Sequence, residues 1–128
     1  MKIYCAASFT EQTRIRAHKE RLIQLGHAVV SSWLEEPPVR PAGMSEDIFE
    51  KKMAMKDLQE IASADCVILD VENPRPTGGK MVEVGFAFAK HKLIIVVGTP
   101  PPHSIFLHLA DVHFDTWDDL FMYDWREQ

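Results

Sequence analysis

Two short apolar runs constrain the fold of this chain most: Cys66-Val67-Ile68-Leu69, held between Asp65 and Asp70, and the unbroken Leu93-Ile94-Ile95-Val96-Val97. The second run has no polar alternation and stops at Gly98, which suits a strand covered on both faces. Such strands belong to parallel sheets sandwiched by helices. Lys2 to Ala7 reads as a first strand, His27 to Trp33 as a second and Asp65 to Val71 as a third. Helical spacing fills the gaps between them. Ile15, His18, Leu22 and Leu25 mark one helix that Gly26 ends, and Ser8 and Glu11 have capping-box spacing ahead of it. Leu34 to Gly43 is a proline-rich surface loop, after which Ser45 is placed to cap a helix reaching about Ser63. Asn73 to Gly79 reads as a loop, and Val82, Gly85, Phe86 and Ala89 mark the helix that follows it. Ser104 to Leu109 is a short segment, and Thr116 to Trp125 a terminal amphipathic helix. Strands alternating with helices imply right-handed βαβ units. The expected fold is α/β: a doubly wound parallel sheet of about five strands, flavodoxin-like within the Rossmann-like class, with helices on both faces. In that order the loops after strands one, three and four converge. The candidate site is therefore drawn from Ser8 to Thr10, Asp70 to Glu83 and Gly98 to Ser104.

The chain's 128 residues suit one domain spanning 1–128, able to bury roughly two thirds of the surface its unfolded form exposes. Cys5 and Cys66 each sit in an expected strand, and both read as reduced core thiols. No apolar run reaches the ~18 residues of a membrane span, and Met1-Lys2 leads straight into a strand rather than a signal peptide. A cytoplasmic protein is expected. Its formal net charge of −5 argues against a nucleic-acid duplex as partner, because duplex binding rests on Lys and Arg neutralising phosphates. One mononucleotide, held by a few local donors, is still allowed.

Gly78-Gly79-Lys80 suggests a phosphate-cradling loop, but Pro74 stands where that motif needs glycine and Met81 where it needs Ser or Thr. The turn Ala6-Ala7-Ser8 contains no glycine, so the dinucleotide fingerprint is missing and no cofactor is expected. The six histidines have no metal-ligand spacing, and no metal is expected. Glu83 falls just inside the third helix. On its own it reads as a solvated first-turn glutamate; with glycines ahead of it that let a ligand approach the backbone, it also reads as an ionised nucleophile. Asp57 shares its helix face with Met53, Ala54 and Ile61, so it is either a border residue reaching water or a second carboxylate over the site. Tyr4 either packs in strand one or hydrogen-bonds a carboxylate. Trp117, Leu120, Phe121 and Trp125 form an apolar face suited to the core or to a subunit contact.

Three stretches together resemble the nucleoside 2-deoxyribosyltransferase superfamily over nearly the whole chain: Ile3-Tyr4-Cys5-Ala6-Ala7-Ser8-Phe9; Asp57-Leu58 with Ile61 and Ala64-Asp65; and Gly78-Gly79-Lys80-Met81-Val82-Glu83-Val84-Gly85-Phe86-Ala87. That superfamily includes the 2'-deoxynucleoside 5'-monophosphate N-glycosidases. The resemblance implies Glu83 as nucleophile on C1' of the sugar, with Asp57 and Tyr4 as the other catalytic residues. It implies Ser8, Phe9, Thr77, Gly78, Gly79 and Ser104 as the substrate-binding positions, and a homodimer in which a residue near Ser104 completes the partner's site. Transferases of free nucleosides typically carry an aspartate six residues before the nucleophile, where this chain has Thr77. The phosphate-binding hydrolases resemble this chain in having hydroxyl residues there, and usually add an arginine near Thr10; the nearest cations here are Arg75 and Lys80. The expected reaction is release of free base and deoxyribose 5-phosphate from a deoxynucleoside 5'-monophosphate. Base exchange on free deoxynucleosides and a non-catalytic nucleotide-binding module are the alternatives.

Overall fold

The computed structural model describes residues 1–37, 39–73 and 78–125. Five parallel strands, β1 (Lys2–Ala6), β2 (Ala28–Val29), β3 (Cys66–Asp70), β4 (Leu93–Val97) and β5 (Val112–Phe114), lie in the order β2-β1-β3-β4-β5. This is the flavodoxin-like order expected, with the reversal between β1 and β3. The helices α1 (Gln12–Gln24), α2 (Glu46–Ser63), α3 (Gly78–Ala89) and α4 (Trp117–Phe121) cover the sheet. α1 packs against α4 on one face and α2 against α3 on the other, as right-handed crossovers in opposite directions require. Every residue of β3, and Ile94 to Val97 of β4, is buried, which explains their unbroken apolar character. Asp70, at the end of β3, is the polar exception.

Several expected elements change on inspection. β2 is two residues long rather than running from His27 to Trp33. After a last backbone bond from Val30 N to Ile3 O at 2.8 Å, side chains replace the ladder: Ser31 Oγ accepts from Cys5 N at 3.1 Å, and Trp33 Nε1 donates to Cys5 O at 2.7 Å. The chain then turns as a 3-10 helix over Ser32–Glu35, so Leu34 is core instead of surface loop. Ser8 makes no capping hydrogen bond, and Glu11 pairs with Arg14 at 2.7 Å, so the capping box does not form. Leu25, expected on the buried stripe of α1, is 38% exposed. Ser45 does cap α2, accepting from Ile48 N at 3.3 Å, and α2 ends at Ser63 as expected. The terminal helix is only Trp117–Phe121, capped by Thr116, with Trp117 and Leu120 in the core. Cys5 and Cys66 are free and buried, and burial pushes both thiols up, Cys5 to about 12. No helix among the described residues is long and apolar enough to cross a membrane.

Gly98 ends β4 with φ +110, and a Cβ there would sit 2.7 Å from the Glu72 backbone nitrogen. Both constraints require glycine, because the left-handed backbone is strained for any side chain and the obstructing atom is main chain. Gly98→Ala is expected to lower stability by about 2–4 kcal/mol in urea unfolding. A loss within experimental error would show that the β3 and β4 loops separate freely.

Candidate active site

The reversal point between β1 and β3 places two segments around one cleft of about 350 Å³, lined by Ala7 to Thr10 after β1 and by Gly79, Lys80 and Glu83 of α3. α3 begins at Gly78, so Gly78 and Gly79 belong to its first turn and Glu83 to its second. This revises the expectation of a first-turn glutamate held ionised by the helix terminus. Lys80, Val84 and Ala87 face the core, and Glu83 flanks that stripe with its Oε2 buried and without a hydrogen-bond partner. Burial raises its pKa from the ordinary 4.5 to about 7; the Tyr4 hydroxyl and the Lys80 charge oppose that rise, and Asp57 adds to it.

Tyr4 is 1% exposed in β1, and its hydroxyl interacts with Glu83. Its hydroxyl pKa is pushed up by burial first, then by the charges of Glu83 and Asp57, so it stays a protonated donor. Asp57, on α2, is half-buried with Oδ1 enclosed and unpartnered. Burial pushes its carboxyl up to about 6, with Lys56 opposing and Glu60 adding. The structure therefore brings Tyr4, Asp57 and Glu83 into one electrostatically coupled group. Two enclosed carboxylates with raised pKa values can divide nucleophilic and proton-transfer work.

Ser8 Oγ is also buried without a partner on the cleft wall. Phe9 lies on the same rim, 37% exposed, with its ring 6.2 Å from that of Trp33. Ser104 is not in this cleft: its hydroxyl donates to Pro101 O at 2.7 Å, and it lines a neighbouring cavity of about 230 Å³ whose other wall includes Lys80. Thr77 and Arg75 lie outside the described residues. Among the described residues no cluster of three His, Cys, Asp or Glu side chains is set to hold a metal ion.

The cation that the sequence reading passed over is Arg14. It donates to Asp70 twice, at 2.7 and 2.9 Å, to Glu72 at 2.8 Å and to Glu11 at 2.7 Å. Trp117 Nε1 donates to the same Asp70 carboxylate at 2.7 Å, and Asn73 Nδ2 to Glu11 at 2.7 Å. Arg14 is thus committed to carboxylates that fasten the loop after β3 to α1. The available signal was a buried acid ending an apolar strand, which needs a cation from elsewhere in the chain.

Because folding raises the Glu83 pKa from 4.5 to about 7, the folded chain retains a proton that the unfolded chain has released between those values. The associated stability is full below pH 4.5 and is lost as pH climbs through about 7. Glu83→Gln is expected to be about 2 kcal/mol more stable than wild type at pH 8 in urea unfolding, with the gap closing toward low pH. Equal stability at pH 8 would mean that the carboxylate is solvated.

Residues 3–105 match the nucleoside 2-deoxyribosyltransferase family. None of the curated proteins matches the sequence. Among solved structures, the 2-deoxyribosyltransferase of Bacillus psychrosaccharolyticus superposes with a TM-score of 0.81 at 21% identity, covering 99% of this chain and 95% of that one. A conserved protein from Enterococcus faecalis gives 0.72 at 16% identity, with 95% of each chain covered. The CMP N-glycosidase of Clostridium botulinum gives 0.64 at 21% identity, over 96% of this chain and 100% of that one. At these identities the structural likenesses establish the shared fold. The family match covers most of the chain, and with the five-stranded order and the cleft at its reversal point it shows that this chain belongs to the nucleoside 2-deoxyribosyltransferase family of enzymes.

Proposed function

We propose that this chain is an N-glycosidase of 2'-deoxynucleoside 5'-monophosphates, with Glu83 as nucleophile. The observation that carries the reading is the Glu83 carboxylate itself, enclosed, unpartnered at Oε2 and open to the cleft. One Glu83 oxygen attacks C1', the C1'–N bond breaks, and its electron pair leaves with the base. Asp57 orients the sugar or exchanges a proton with the departing base. Tyr4 holds the Glu83 carboxylate on line. Water then hydrolyses the glycosyl ester, releasing deoxyribose 5-phosphate and restoring Glu83. Without a 2'-hydroxyl the oxocarbenium-like transition state forms more easily, which favours deoxyribose as the sugar. Ser8, Gly78, Gly79 and, from the sequence, Thr77 would surround the 5' substituent, with Phe9 at the rim for the base.

Base exchange on free deoxynucleosides is the second reading, favoured by the family's own description and by the close superposition on the Bacillus transferase. Both use the same nucleophile, so the acceptor decides between them. A homodimer belongs to the proposal too, supported by exposed Ile105 and Phe106 beside Ser104, at 67% and 54%. Light scattering at the monomer mass would remove it.

The test is chromatography of base released from each deoxynucleoside and each 5'-monophosphate, with and without a second base. Release from monophosphates without an acceptor is expected, lost by roughly a thousandfold or more in Glu83→Gln. Exchange confined to unphosphorylated nucleosides would sink the hydrolase reading. Since the nucleophile must be ionised, kcat/KM should rise with pH up to about 7. The Tyr4 contact lowers the Glu83 pKa, so Tyr4→Phe is expected to move that rising limb to higher pH while reducing kcat. An unmoved limb would make Tyr4 a packing residue only.

A further inference from the structure

Lys80 has a placement that the chemistry of Glu83, Asp57 and Tyr4 does not account for. It is 4% exposed, yet among the described residues its ammonium has no ion-pair or hydrogen-bond partner. A lysine whose stem is packed this deeply while its ammonium reaches the cleft unpaired holds a charge in a partly desolvated place, which is costly to keep. Desolvation pulls its pKa down, Arg14 adds to that, and Asp70, Glu11 and Glu83 oppose it through space without pairing with it.

The side chain leaves the first turn of α3 and lines both the Glu83 cleft and the adjoining cavity that holds Ser104. Ser8 Oγ, buried and unpartnered, lines the same cleft. Gly79 lines the cleft too, and a Cβ built there meets nothing within 4 Å, so a ligand can come against the backbone. The first-turn amides of a helix as long as α3 are further donors without intrahelical partners. An apolar guest would leave the ammonium and the hydroxyl unsatisfied, and a cationic guest would be repelled. An anion with several acceptor oxygens satisfies both at once.

The geometry points to Lys80 as the specificity-determining residue of the cleft, providing the counter-charge for an anionic substituent of the phosphate-monoester class on the substrate's sugar. This assignment rests on the reading of the cleft as the Glu83 glycosidase site. It also supplies the positive charge that Arg14, bound to its own carboxylates, cannot lend.

Titration calorimetry with inorganic phosphate, on wild type, Lys80→Met and Lys80→Arg, tests it directly. Lys80→Met is expected to weaken phosphate binding by at least ~10-fold, and Lys80→Arg to keep it within a few-fold of wild type. Lys80→Met should melt at or above the wild-type temperature, since it removes an unpaired charge from a largely buried side chain. In the base-release assay the kcat/KM ratio of monophosphate to free nucleoside should fall by roughly 100-fold in Lys80→Met. Phosphate binding unchanged in Lys80→Met, or absent in wild type, overturns the assignment. Base release that needs Glu83 but ignores Lys80 leaves the glycosidase reading standing and removes the anion site. Lys80-dependent phosphate binding without any base release does the reverse.

Discussion

Asp70 ends the most buried strand of the sheet, and its carboxylate is 1% exposed. Burying such a group costs several kcal/mol unless each oxygen finds a donor. Arg14 reaches it from α1, Trp117 from α4, and the Glu72 backbone nitrogen closes the set at 3.2 Å. One carboxylate therefore joins three elements distant in sequence. Arg14 carries the linkage outward through Glu11 and Glu72, and Glu11 holds Asn73. The loops after β1 and β3 are set relative to each other by charge-assisted bonds, which constrain direction more tightly than apolar contact does. On the other side Gly98 lets the end of β4 approach the Glu72 backbone closely.

The protonation of Glu83 shows how magnitudes select between two opposed effects. A helix N-terminus favours an ionised carboxylate by about 0.3–1 kcal/mol, and only within its first turn. Burial moves the Glu83 pKa from 4.5 to about 7, which corresponds to roughly 3 kcal/mol in the opposite direction. Desolvation wins, and starting α3 at Gly78 moves Glu83 further from the terminal amides. The resulting carboxyl is poised near neutrality, and the charge of Asp57, whose own carboxyl burial pushes up to about 6, adds to its rise.

Much of this was legible in the residues. The β3 and β4 runs were unbroken because both faces are covered, and their alternation with helical segments led to the parallel order observed. Ser45 was readable because a cap is a local interaction spanning three residues. β2 was overextended because Val29, Val30 and Trp33 look like strand residues, while the Ser31 and Trp33 bonds that replace the ladder depend on β1 lying alongside. Ser8 and Glu11 had the spacing of a capping box, but Arg14 and Asn73 compete for Glu11 more strongly. The position of Ser104 beyond the Glu83 cleft could not be read from a spacing, since Lys80 separates the two cavities in space.

Local pattern and composition were enough to determine the sheet class, the strand that precedes the cleft and the identity of Glu83 as the carboxylate to examine. Periodicity and a motif are properties of neighbouring residues, so no long-range information was needed. Tertiary structure alone decided that Glu83 and Asp57 are desolvated, that Tyr4 interacts with both, that Arg14 is committed to Asp70 and that Lys80 is largely buried with no partner among the described residues. Burial and charge pairing depend on which segments meet across the sheet, and that is a property of the packed chain.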